Sequence, residues 1–311
     1  MTEPDADDLP RGIALAWGVA ASPQRGPKRE MSVEGIVDAA VELADADGLG
    51  AVSMAAVASR LGYTPMSLYR YISAKDDLIL LMQESAIGAP PAIEGDGWRE
   101  RVVAFHDALM RSYLAHPWVI EIPITGVTAT PNSAAWMDAG IQVFDGTPLD
   151  DDARLSLTLL LTGYAHWNAT VIAGMSRRAA ASGRDLEEVS HAEDDLLARL
   201  VTADAYPSLH RAVAAGVLSS GTDPFRFGLG VILDGIAAHL DALAAGTFVP
   251  PKPPPPPEAP EVLADKKYRE SQKKVREAEK LLRAAHREER ASLRDARERA
   301  RQRVAKERGR A

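Results

Sequence analysis

Residues 53–82 read SMAAVASRLGYTPMSLYRYISAKDDLILLM, and the fold is decided by how this stretch is punctuated. Ser53 is a good N-cap for a short helix in which Val57, Ala58 and Leu61 face inward, and Gly62 ends it. Tyr63 and Thr64 are all that separate that stop from the next start. Thr64 is again a capping residue, and Pro65 sits at a first helical position, where its missing N–H costs nothing. Leu68 and Ile72, one turn apart, face inward from this next helix. Ser73-Ala74-Lys75-Asp76 matches a capping box for a further helix carrying Leu78, Ile79, Leu81 and Met82. Upstream, Ser32 caps a helix whose apolar face is Val33, Ile36, Val37, Ala40, Val41 and Ala44, ended by Gly48. Two short helices joined by a three-residue turn containing Gly describe a helix-turn-helix, whose second helix enters the major groove of duplex DNA. Small helical bundles share such punctuation, so spacing alone leaves the chemistry open.

Working outward, the chain has 311 residues, 46% hydrophobic and 26% charged, enough for a sizeable core and about two domains. Residues 1–31 read as a flexible arm with a basic cluster, Arg25, Lys28 and Arg29. Residues 32–87 form the helix-turn-helix domain, and 88–97 (GAPPAIEGDG) a loop. Residues 98–249 read as longer helices, 250–260 (PPKPPPPPEAP) as a proline-rich linker, and 261–311 as a charged helical tail. No window alternates as a strand does, so the fold class is all-α. Zero cysteines exclude disulfides, thiolate metal sites and a cysteine nucleophile, and suit the cytoplasm. Glu3, Asp5, Asp7 and Asp8 stand before the apolar run 13–21 where a secretory signal needs positive charge. The uncharged stretch Leu155–Met175 is long enough to span a bilayer, but its Thr, His and Asn residues favour a buried helix of a bundle. No membrane association is expected.

Residues 32–82, above all SLYRYISAKDDL with Leu68, Tyr69, Tyr71, Lys75 and Leu78, resemble the N-terminal domain of the tetracycline-repressor (TetR) family of transcriptional regulators. Trp98-Arg99 and His116-Pro117-Trp118 extend a weaker similarity to the C-terminal domain of that family over 98–249. The resemblance implies a homodimer that binds double-stranded operator DNA through the helix-turn-helix and is released by a small-molecule effector, most often as a repressor. By position, Thr64, Pro65, Met66, Ser67, Tyr69, Arg70 and Tyr71 would face DNA from the second helix of the motif. Lys75 would meet a phosphate, and Ser53 and Met54 would lie where the first helix nears the backbone. Ala55 departs from the basic or polar residue common there. Plainer roles stay open: Tyr69 as a packed aromatic, Arg70 as a solvated cation, Lys75 in a local pair with Asp76 or Asp77. Pro65, Met66 and Ser67 suit thymine methyls and shape better than guanine.

In the larger body, 98–116, 132–144, 151–174, 186–202 and 225–246 have helical patterning. The third and fifth are apolar on most faces and are expected to be buried, in a two-fold dimer as a four-helix bundle. His106, Met110, Trp136, Tyr164, Trp167 and Asn168, with His166 and His239 beside them, mix polar atoms into apolar walls. A ligand pocket for a small, mostly apolar molecule wants this mixture; each residue could instead be an ordinary core member. Asp150-Asp151-Asp152 reads as a helix start and no metal site is indicated. No metalloprotease, phosphate-loop, nucleophile-elbow or dinucleotide motif is present, so neither a cofactor nor an enzyme is expected. The alternative to a DNA-binding regulator is a helical partner-binding module.

Residues 258–311 hold 18 of the 36 Lys+Arg and 11 of the 44 Asp+Glu, a balance of +7 against −15 elsewhere. From Asp265 to Arg308 there is no Pro or Gly, and Lys266–Glu270, Lys273–Glu277, Glu279–Arg283, Asp295–Arg299 and Arg303–Glu307 place opposite charges four apart. The apolar residues Val275, Leu281, Leu282, Leu293 and Val304 are too sparse for a heptad seam. A single solvated helix about 66 Å long follows, attracting DNA phosphates or serving only solubility and spacing.

Overall fold

The computed structural model describes residues 9–19, 31–124, 126, 129–217, 223–250 and 258–308. The cluster Arg25, Lys28 and Arg29 and residues 251–257 of the proline-rich stretch lie outside them. Among the described residues the regular structure is entirely helical. Residues 1–248 form one compact unit and 249–311 a second.

The first unit begins with α1 (Arg11–Ala16). This short helix falls within the stretch read as a flexible arm, yet Gly12 and Ala14 are buried. Gly12 lies so close to Asp77 that a Cβ there would stand 2.7 Å from its Oδ1, and Trp17 Nε1 donates to the Ala129 carbonyl at 2.8 Å. Next come α2 (Val33–Asp47), α3 (Met54–Leu61), α4 (Pro65–Leu68) and α5 (Lys75–Ile87). Ser32 and Ser53 cap α2 and α3 as expected, accepting from the Gly35 and Ala56 amides. Gly62 closes α3 at φ 76°, where a side chain would be strained. Its amide donates to Ser59, and the Tyr63 amide reaches back to Ala58 at 2.8 Å, the paired bonds of a Schellman ending. The capping box expected at Ser73 does not form. Ala74 occupies the N-cap of α5 and no side chain caps that end, so its first amides are left for another partner.

Helices α6 (Trp98–Ala115), α7 (Pro131–Gln142), α8 (Asp151–Ser182), α9 (Leu186–Leu200), α10 (Pro207–Ala214) and α11 (Pro224–Ala244) complete the unit. One hydrophobic cluster runs from Ile36 and Leu68 through Met82 to Phe105, Phe144, Leu161 and Ile236, so the stretches 32–87 and 98–249 share a core. Two close approaches tighten it. A Cβ on Gly228 would collide with the Tyr164 hydroxyl, which donates to the Phe225 carbonyl at 2.9 Å. Asp45 on α2 accepts from Trp118 Nε1 at 2.7 Å and pairs with His116 Nδ1 at 2.8 Å, joining α2 to the 3₁₀ turn Pro117–Glu121.

The expected burial of α8 and α11 is only half met within one chain. Leu160, Trp167, Phe227 and Val231 are exposed, Phe227 at 68%. By length and composition α11 could cross a bilayer, but it carries Arg226 and Asp234, which pair with Asp107 and Arg99 of α6.

The second unit holds α12 (Pro260–Ala264) and α13 (Lys266–Arg308). Asp265 caps α13 by accepting from the Tyr268 amide at 2.8 Å. The continuous helix read from composition is present, 43 residues long. Of the four-apart pairs, Lys273–Glu277 and Glu279–Arg283 approach to 4.0 Å; Arg303–Glu307 involves side chains outside the described set.

Candidate functional site

Helices α3 and α4 present one outward surface. Leu68 and Ile72 turn inward and are fully buried, which turns Tyr69 and Arg70 between them, and Thr64, Pro65 and Met66 before them, outward. Met66 is 74% and Tyr69 46% exposed. Thr64, Pro65 and Arg70 are exposed beside them, and the Thr64 and Ser67 hydroxyls lie 3.0 Å apart. Tyr71 is half-buried and packs against the core. Lys75 opens α5, exposed, at the uncapped helix start. Ser53 is exposed but its hydroxyl already accepts from Ala56. Met54 does not belong to this surface: it is 6% exposed. Its place in the sequence explains why, since Met54, Val57, Ala58 and Leu61 repeat at helical spacing and continue the inward face of α3. Arg60, beside this surface, is engaged with Glu42 at 2.7 Å.

Helix α5 carries this surface into the larger body. Its apolar residues point two ways, Leu78, Leu81 and Met82 into the helix-turn-helix core and Ile79, Leu80 and Ile87 into a cavity of about 400 Å³. The far end of α5 is held by side chains from other helices. Asn132 Nδ2 donates to the Glu84 carbonyl at 2.9 Å, Ser112 Oγ to that of Ile87 at 2.9 Å, and Trp136 Nε1 to that of Gly88 at 2.9 Å. The Ile87 carbonyl, which the helix leaves unsatisfied, is thus taken up from α6; that of Glu84, which the Gly88 amide also reaches at 3.3 Å, gains a second donor from α7, as does the cap residue Gly88. The Asn132 amide adds a bond to Glu84 Oε1 at 2.7 Å.

The cavity walls are mostly apolar, with Leu109, Val119, Ile124, Trp136, Met137 and Leu159 among them. Its polar lining is Asp76, Gln83, Tyr113, Ser133, Thr162 and His166. Tyr113 and His166 meet edge to face with ring centroids 5.6 Å apart. Burial pushes the Tyr113 hydroxyl up to about 12 and lowers His166 from its ordinary range, so both are neutral donors or acceptors at neutral pH. The volume and the mixed lining fit a drug-sized organic molecule.

Of the six residues read as pocket lining, Trp136 reaches this cavity, and His166 from the same reading does too. The others do not. His106 Nε2 and Asn168 Nδ2 lie 3.2 Å apart in the core, and Met110 packs against the core from its edge. Tyr164 is engaged with Phe225. Trp167 is 56% exposed, its ring against Phe225 at 5.4 Å. His239 meets Phe248 edge to face at 4.5 Å. Polarity inside an apolar helix did not distinguish a pocket from a buried core pair, in which Asn168 Oδ1 is left without a hydrogen-bond partner among the described residues. The contribution of α5 was missed, although its unbroken LILLM run (residues 78–82) is the mark of a helix buried on two sides.

His106 is held below its ordinary value of 6.5, chiefly by burial, with Asp107 partly opposing. The unfolded chain therefore takes up a proton near 6.5 that the folded chain refuses. Stability is expected to fall as pH drops below 6.5 and to level off once His106 itself protonates. His166, lowered by burial as well, adds to the same slope. Urea unfolding between pH 7.5 and 5.5 measures this, and His106→Gln should partly flatten the slope. An unchanged slope in that variant would show that His106 is not among the groups responsible.

Residues 36–82 match the family described as "Bacterial regulatory proteins, tetR family". Residues 90–240 match "Tetracyclin repressor-like, C-terminal domain". The HTH-type transcriptional repressor DrrR1 of Streptomyces coeruleorubidus is 30% identical over 233 residues, 74% of this chain and 86% of its own. An HTH-type transcriptional regulator of Saccharopolyspora erythraea is 38% identical over 137 residues, 43% of this chain and 58% of its own. Among solved structures, the TetR family protein ActR of Streptomyces coelicolor in complex with actinorhodin is 26% identical, covering 69% of this chain and 97% of its own at a TM-score of 0.56.

Proposed function

The chain belongs to the TetR family of transcriptional regulators, and on that premise we propose that it is a repressor whose grip on operator DNA is loosened by a small, mostly apolar effector. The observation that carries this reading is the reach of α5, from the exposed Lys75 at one end to the cavity wall of Ile79, Leu80, Gln83 and Ile87. A molecule filling the cavity presses on α5, which packs on α2, and α2 in turn carries α3 and, through it, α4. It can shift the equilibrium only by binding the two arrangements unequally, and DNA must weaken the effector by the same factor. Thr64, Pro65, Met66, Ser67, Tyr69, Arg70 and Lys75 are the proposed DNA-facing residues, with Tyr71 and Ser53 supporting them. Residues 32–87 thus serve as the DNA-reading part and 98–249 as the effector and dimer part.

The exposed apolar residues of α8 and α11 support a homodimer through those helices, which would seat two recognition surfaces on a two-fold operator. ActR holds actinorhodin. An aromatic effector with polar groups suits a mostly apolar cavity whose lining includes the Tyr113–His166 pair.

The test is selection of duplex fragments from a random pool by the purified protein, followed by titration of actinorhodin as the first probe. A two-fold related motif should emerge, and cavity ligands should lower affinity for it. Recovery of no enriched sequence would sink the reading in favour of a partner-binding module.

A further inference from the structure

Helix α13 carries its positive charge in a pattern that composition does not convey. From Arg269 to Arg297 every seventh residue is arginine, and from Lys280 to Arg308 every seventh is Lys or Arg, offset so that the two rows interleave at spacings of four and three. On a continuous helix turning about 100° per residue, seven residues nearly close two turns, so both rows fall within one sector about 100° wide. Glu279 and Glu298 stand at its two edges. Glu270, Glu277, Glu288 and Asp295 lie about 110–130° round from its midline. The result is a basic ridge about 60 Å long, with a cationic position every 5 Å or so from Arg276 to Arg301.

Such a ridge is costly in isolation. Like charges three and four apart destabilise a helix as much as opposite charges support it, and from Arg276 to Arg301 the ridge sets them in unbroken succession. A tail serving only solubility or spacing would intersperse the signs. Among the described side chains two partners touch the ridge: Glu279 at 4.0 Å from Arg283, and the Ala264 carbonyl at 2.9 Å from Arg269. The first is an exposed pair of little strength.

We propose that α13 is a second nucleic-acid-binding element, which lays this ridge along the phosphate backbone of duplex DNA without reading bases. A duplex presents one negative charge per about 1.7 Å of axis, and neutralising it releases condensed counterions. That offsets the repulsion stored in the ridge. A lipid surface is the poorer counterpart. The sector holding Tyr268, Val275, Leu282, Leu293 and Val304 also holds Ser271, His286, Glu289 and Glu307, and its two carboxylates oppose insertion among acyl chains. The proposal is independent of the operator-reading role of α3 and α4.

The test uses the full chain and a random-sequence duplex, with anisotropy read across salt. Arg276→Gln, Arg283→Gln, Arg290→Gln and Arg297→Gln together remove part of the ridge. Lys266→Gln, Lys274→Gln, Arg299→Gln and Lys306→Gln remove the same charge elsewhere on α13. Circular dichroism checks that both variants keep the helix. The ridge variant should weaken binding about tenfold at low salt and flatten the salt slope by about three to four, with the control changing the slope by less than half as much. Equal effects in the two variants would reduce the ridge to net charge and overturn the proposal. So would no effect in either, tighter binding by the ridge variant (the acidic body being the true counterpart), or preference of the full chain for phosphatidylserine vesicles over duplex. If Tyr69→Ala leaves the preference for selected fragments intact while the ridge variant behaves as expected, the operator reading fails and this one stands.

Discussion

Replacing Tyr69 by alanine should cost the protein about 1–3 kcal/mol of affinity for its selected duplex, roughly tenfold or more, and relax the preference at the bases beneath α4. The side chain is about half exposed, and Leu68 and Ile72 already occupy the buried side, so its removal leaves the core untouched. Lys75→Ala should weaken all duplexes alike and lower the salt slope by about one. Lys75 stands at an uncapped helix start, where amide groups and the helix dipole also favour a phosphate. Anisotropy titrations at several salt concentrations separate the two effects. Unchanged affinity and slope in both variants, with cooperative unfolding preserved, would remove α4 and the start of α5 from the DNA surface.

The second large effect is at Trp136, which is buried against Phe105 with ring centroids 5.8 Å apart while its Nε1 caps the Gly88 carbonyl. Trp136→Ala should lower stability by about 3–5 kcal/mol, as is usual for a large buried aromatic. Trp136→Phe keeps a ring in the core but frees the carbonyl, and should cost about 1–3 kcal/mol. Urea unfolding of both variants isolates the hydrogen bond from the packing. A phenylalanine variant as stable as the parent would show that the end of α5 does not depend on this bond.

Much of this architecture is legible in residues 32–87 because local chemistry decides it. Ser32 and Ser53 cap, Gly62 permits a left-handed turn, Pro65 starts a helix, and none of these needs a distant partner. Ser73 failed as a cap because Ala74 took the extended conformation that an N-cap requires, one residue later than the motif suggested. Met54 failed as a surface residue because the inward periodicity of α3 begins with it. The cavity was less legible for a different reason. It is assembled from α5, α6, α7, α8 and the 117–124 segment, and nothing in any one of them records which polar residue will face the shared space. His106 and Asn168 found each other, while Tyr113 and His166 found the opening. The ridge on α13 was legible throughout, but only once charge was followed by angle rather than counted.

The way α5 ends bears on how this protein can be recombined with others. A regulator is often treated as a reading head that can be cut at a loop and grafted onto a new sensor. Here a cut at the 88–97 loop would export a helix whose end, at the Glu84, Ile87 and Gly88 carbonyls, is held by Asn132, Ser112 and Trp136 of the part left behind. The graft inherits exposed backbone at its seam and, on the mechanism proposed above, loses the lever through which any new sensor would speak. A working chimaera has to carry those three side chains across the junction or rebuild their equivalents in the recipient, so the unit of inheritance extends through the first turns of α7.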